Sequence, residues 1–183
     1  MAQNPLPREL MADSNEHEMF IFSLYAYGGV LNNDDFTSSA AHEFQHMIHW
    51  NNDLNETSWL NEGSSELAVL LNGYETGGFD SLYISNPDLQ LNDWPNDQNA
   101  TSPHYGAGFL FMTYFLDRFG EDATKALVKD PANGLDSVEN VLRQIDATDP
   151  VSGQPISADA FFMDWATTNF LLDASVGDGR YIY

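Results

Sequence analysis

Apolar and polar positions follow two rhythms along this chain. Residues 1–18 are polar, with Pro5, Pro7 and several acidic side chains, and read as a leading loop. Met19-Phe20-Ile21-Phe22-Ser23-Leu24-Tyr25-Ala26-Tyr27 is dense in aromatic and branched residues and stops at Gly28-Gly29, the composition of a strand. Beyond the polar turn Asn32-Asn33-Asp34-Asp35 the spacing becomes helical. Ala40, Ala41, Phe44, Met47 and Ile48 fit one helix from near Thr37 to Trp50, ended by Asn51-Asn52-Asp53. A second helix is predicted from Ser58 through Leu60, Leu67, Val69 and Leu70 to the stop at Asn72-Gly73.

Residues 72–103 are rich in Gly, Asn, Asp and Pro, which predicts a long surface loop suited to forming a cleft wall. From Pro103 to Phe119, the residues Phe109, Leu110, Met112, Tyr114, Phe115 and Leu116 predict a buried helix ending at Gly120. Three shorter helices are expected near 121–129, 135–146 and 157–172. There is no internal repeat and no linker composition, so residues 1–183 read as one domain. Its parts are a loop and edge strand (1–35), two helices (36–73), a loop (74–103) and a helical part (104–183). The expected class is α+β, mainly helical, with a small sheet packed on the first two helices.

Composition narrows the function. A hydrophobic content of 43%, with 13% aromatic residues over 183 positions, supports a compact core. Six basic residues against 28 acidic ones give a net charge of −22, which excludes nucleic acid and anionic membrane surfaces as partners. The Met19–Tyr27 segment is too short to span a bilayer, and no secretory signal pattern opens the chain. With no cysteine, any metal must be held by His and carboxylates.

His42-Glu43-Phe44-Gln45-His46 supplies such a set. Two imidazoles four residues apart lie on one helix face about a turn apart, the spacing that chelates a single ion, and Glu43 emerges beside them. Zn²⁺ in such a site lowers the pKa of bound water, and an adjacent carboxylate can take its proton during attack on a carbonyl. His49, three residues beyond His46, competes as a ligand from a different angular position. Glu62, at the start of the second helix, is the candidate third ligand, carried beneath the first helix by a helix–turn–helix. Glu66, one turn further on, suits the role of orienting a metal-bound imidazole and is the reserve third ligand.

The pair His42-Glu43-Phe44-Gln45-His46 and Trp59-Leu60-Asn61-Glu62-Gly63 resembles the gluzincin metallopeptidases, the clan that includes thermolysin and aminopeptidase N. The wider stretch Ala41–Trp50 is most similar to bacterial immune inhibitor A-like and hyicolysin-like peptidases. The resemblance covers residues 11–120. It implies a zinc endopeptidase secreted by a bacterium, acting on peptide or protein substrates, with His42, His46 and Glu62 on the metal and Glu43 as general base. It also implies that the strand at 19–27 is the edge strand above the cleft, part of a sheet truncated in this chain. Tyr105-Gly106-Ala107-Gly108 is similar to the Tyr-x-x-Gly segment of aminopeptidase-type gluzincins, where the tyrosine steadies the transition state. His104 fills that role instead if the chain follows thermolysin-like enzymes. The Gly-x-Met-Glu-Asn segment by which the clan's aminopeptidases bind a free amine is missing, which favours cleavage inside chains.

Two other function classes stay open on the residues alone: a zinc-binding but inactive interaction module, against which intact Glu43 argues, and a zinc hydrolase of a non-peptide amide or ester. Calcium is a further candidate ion at Asn32-Asn33-Asp34-Asp35 and at Asn92-Asp93 with Asn96-Asp97, although neither fits an EF-hand and such residues also favour plain turns.

Overall fold

The computed structural model describes residues 28–31 and 33–183. The first helix, α1, runs Asp34–Asn52, three residues earlier than the apolar spacing predicts, because polar residues start it. The Phe36 N–H donates to Asn33 Oδ1 at 2.9 Å, and Asp34 and Asp35 place negative charge on the first turn. The Asn33-Asp34-Asp35 cluster weighed above for calcium therefore has work as a helix cap.

Helix α2 spans Ser58–Leu71. The stretch read as loop carries a short helix, α3 (Phe79–Ile84), and a 3₁₀ turn (Gln98–Ala100) capped by Asp97. Gly78 precedes α3 with φ 74°, a left-handed conformation that favours glycine. Helix α4 (Ser102–Leu127) is interrupted at Gly120 (φ 78°, ψ 179°), where the sequence predicts its end. Helices α5 (Leu135–Gln144) and α6 (Ala158–Leu171) complete the chain.

Helix α4 is the axis of the fold. Every residue from Gly106 to Met112 is buried, so this segment is enclosed on all sides rather than amphipathic. Phe111 is the hub of an aromatic core, set edge-on to Trp59 of α2 (5.1 Å between centroids) and to Phe161 and Trp165 of α6 (5.3 and 5.4 Å). Val138, Val141 and Leu142 of α5 close one side. Glycines set how closely the helices approach α4. A Cβ on Gly63 of α2 would stand 2.5 Å from the Gly108 carbonyl oxygen, and one on Gly108 would stand 2.5 Å from the Trp59 carbonyl oxygen. A Cβ on Gly106 would collide with the Phe79 carbonyl of α3. The Tyr-Gly-Ala-Gly segment thus lets main chain lie against main chain on two sides of α4.

The expected α+β class is corrected by this architecture. Among the described residues every regular element is a helix, none is a strand, and sheet-like pairing is limited to an isolated bridge between Thr148 and Pro155. The apolar positions of this region repeat with helical spacing, so each element buries its face against another helix and no sheet is needed. Met19–Tyr27, on which the sheet expectation rested, lies outside the described residues. No helix among the described residues is long and apolar enough to cross a membrane.

Candidate metal centre

Helix α1 rests on α2 by an unusual face. Its apolar Phe44 and Ile48 are exposed, whereas His42, His46 and His49 turn inward. At 3.6 residues per turn, positions 42, 46 and 49 form one stripe along the helix. Helix α2 meets the upper part of this stripe with two pairs of residues at i, i+4 spacing. Glu62 and Glu66 meet His42, while Asn61 and Ser65 meet His46.

Three donor atoms converge between the helices. His42 Nε2 and His46 Nε2 lie 3.0 Å apart, and Glu62 Oε2 lies 3.2 Å from the first and 3.3 Å from the second. Glu62 Oε2 is buried and has no well-formed hydrogen bond despite facing both rings. The outer nitrogens are held from behind. His42 Nδ1 sits 3.0 Å from Glu66 Oε1, and His46 Nδ1 sits 2.5 Å from Asn61 Oδ1 and 3.0 Å from Ser65 Oγ. Those contacts give the Nδ1 proton of each ring an acceptor on α2, so that Nε2 is the nitrogen of each ring that faces the Glu62 oxygen. Two imidazole nitrogens, both rings braced from α2, and one carboxylate oxygen, crowded together, fit the donor set of a zinc ion with an open fourth position.

The charges agree with this. Burial alone would lower the His42 pKa, but the Glu62 and Glu66 carboxylates outweigh it and raise the value to about 9. Burial alone would raise that of Glu62, but His42 and His46 bring it down to about 2. Without a metal His42 is therefore protonated at neutral pH, and an ion bound through its Nε2 would displace that proton. Calorimetric titration of zinc at pH 7 in buffers of differing ionisation enthalpy is expected to register close to one proton released per zinc, falling toward zero above pH 9. A release independent of pH across that range would contradict the assignment of His42.

Glu43 and Tyr105 line a cleft of about 660 Å³ that reaches the convergent set at His42, with Glu66, Glu75 and Phe79 among its other walls. Tyr105 stands at the start of α4, its ring 6.3 Å from that of His42 and braced by Phe79 (5.2 Å) and Trp94 (5.1 Å). Burial, with the carboxylates of Glu62, Glu66 and Glu43 nearby, pushes its phenol above the ordinary tyrosine range, so it keeps its proton. His104 takes a different place. Its ring packs on Trp94 at 5.8 Å, and burial lowers its pKa against the opposing pull of Asp93. His49 does not join the convergent set; it lies one turn beyond, against Asp53 and Glu56. Asn61 and Ser65 carry no role in the sequence reading. The available signal is their own i, i+4 spacing, offset by one residue from Glu62 and Glu66.

No protein-family model matches the chain. Among curated proteins it is distantly similar to "Neutral metalloprotease ShpI" of Staphylococcus hyicus, 25% identical over an alignment 162 residues long, gaps included, with 75% of this chain and 36% of that protein covered. The chain thus spans little more than a third of its relative's length. The similarity supports a distant relationship to a metalloprotease, without a finer grouping.

Proposed function

We propose that this chain is a zinc-dependent peptidase of the gluzincin type that cleaves within peptide chains and acts outside the bacterial cell. The convergence of His42 Nε2, His46 Nε2 and Glu62 Oε2, with each histidine braced from α2, is the observation that carries the reading. In this reading those three residues hold the ion, and Glu66, Asn61 and Ser65 fix the rings. When bound, zinc supplies Lewis acidity, making a water more acidic and polarising a carbonyl.

The rest of the chemistry falls to side chains of the cleft. Glu43 takes a proton from the attacking water and returns it to the leaving amine nitrogen. The Tyr105 phenol donates to the substrate carbonyl oxygen, and this bond strengthens as the oxygen gains charge, so it lowers the barrier rather than merely tightening binding. Tyr105→Phe is accordingly expected to reduce kcat by roughly 10²–10³-fold with KM little changed. An equal kcat in steady-state kinetics would remove Tyr105 from the mechanism and return the donor role to His104.

The reading as a whole is tested by elemental analysis and a quenched-peptide cleavage assay on the same samples. Chelator-sensitive cleavage is expected, together with zinc that Glu62→Ala loses. Cleavage that survives complete removal of metal would overturn the proposal.

A further inference from the structure

We propose that the chain holds a second zinc-class divalent ion at His49, Asp53 and Glu56, structural rather than catalytic, at the foot of α1. One ligand atom from each residue lies within 4.8 Å of the others. His49 is completely buried, and neither of its ring nitrogens has a hydrogen-bond partner among the described residues. Asp53 is 5% exposed, and its Oδ2 is likewise without a partner. A buried imidazole and a buried carboxylate oxygen that lie close together, neither with a hydrogen-bond partner, are costly unless something satisfies them. An imidazole and a carboxylate that simply wanted each other would close to hydrogen-bond distance. Held apart but within 4.8 Å, they are near enough for one small cation to draw them to the roughly 3.4 Å that separates the ligands of a tetrahedral ion.

The surroundings fix the carboxylates for that task. Asp53 Oδ1 already accepts from the Asn55 N–H at 3.3 Å, which leaves Oδ2 as its free oxygen. Glu56 Oε1 accepts from the Thr57 N–H, from Thr57 Oγ1 at 2.8 Å and from the Gly134 N–H at 2.8 Å. Its other oxygen, Oε2, has a single long contact of 3.4 Å from Ser137 Oγ and keeps a lone pair to offer. One imidazole with two carboxylates favours zinc or a similar transition ion over calcium or magnesium, which prefer all-oxygen sets. The ion would join the end of α1, the turn into α2 and, through Glu56, the head of α5. It would thereby hold the turn that sets how Glu62 faces His42 and His46.

Zinc equivalents retained after equilibrium dialysis test the site separately from the peptidase reading. The wild-type chain is expected to hold two equivalents. His46→Ala should keep one, Asp53→Asn and Glu56→Gln should each keep one, and His46→Ala combined with Glu56→Gln should keep none. Glu56→Gln preserves an acceptor for Thr57 and Gly134, so it serves if Asp53→Asn does not fold by circular dichroism. As a second readout, zinc should raise the melting temperature of His46→Ala and leave the double variant unchanged. A single wild-type equivalent that disappears in His46→Ala and persists in Glu56→Gln would overturn the second site and leave the peptidase reading standing. A single equivalent with the opposite pattern would support the second site and remove the first. No retained zinc at all would overturn both.

Discussion

Glu43→Gln is expected to bind zinc as the parent does and to lose turnover by roughly 10²–10⁴-fold, the range for removing a positioned general base. The amide fills the same space in the cleft wall but cannot accept the water's proton. Metal retention is expected because His42, His46 and Glu62 and their contacts with Glu66, Asn61 and Ser65 do not involve Glu43. Elemental analysis beside single-turnover kinetics separates the two effects. A variant with full zinc and parental rates would show that another group moves the proton, and a variant that loses the equivalent held by His42, His46 and Glu62 would show that Glu43 serves the ion itself.

The second large effect is expected at a residue with no chemistry. In Gly63→Ala the new carbon would stand 2.5 Å from the Gly108 carbonyl oxygen and 2.6 Å from its carbon, so α2 and α4 must separate. Main-chain atoms cannot turn aside as side chains do, which places the overpacking cost near about 3 kcal/mol, the upper end of the usual range. Alanine's better helix propensity returns about 1 kcal/mol. The net loss of about 2 kcal/mol corresponds to a fall of roughly 4–8 °C in Tm for a chain of this size. Gly77→Ala is the contrast, since its new carbon would meet the edge of the Phe79 ring at 3.0 Å and the ring can move. Because Glu62 immediately precedes Gly63, the same displacement should weaken zinc binding in the molecules that remain folded. Equal melting curves for the two variants would mean that α2 and α4 do not meet this closely.

The contrast between these two positions shows what the sequence makes legible. His42, Glu43 and His46 can be read from the chain because helical spacing alone sets their relation, and Glu62 follows from the need for a third donor on the next helix. Asn61 and Ser65 cannot be read that way. Their hold on His46 depends on how α2 is rotated against α1, a relation between two elements that no local pattern encodes. Gly63, Gly106 and Gly108 are visible as glycines, but the main chain they admit lies in other helices. His49 was legible as a ligand type and not as a place: spacing suggests competition with His46, whereas the turn after α1 brings Asp53 and Glu56 to it. The sheet expectation leaned on Met19–Tyr27, and the helical packing of residues 33–183 proceeds without a strand among the described residues. Helix α3 was hidden because six residues in a segment rich in Gly and Asp leave no periodic trace.

Helix α1 completely buries one side chain, His49, and shows its apolar Phe44 and Ile48 to solvent. It lacks the greasy seam that ties α2, α4, α5 and α6 together. Its hydrogen bonds and ion pairs with α2 run through imidazole, carboxylate, amide and hydroxyl groups, so the groups placed to bind an ion also tie the two helices together. If the ion proposed above is bound, a chelator would act on architecture as well as on chemistry. The timing of any lost activity, immediate or creeping, distinguishes an emptied site from a helix that has begun to lift away.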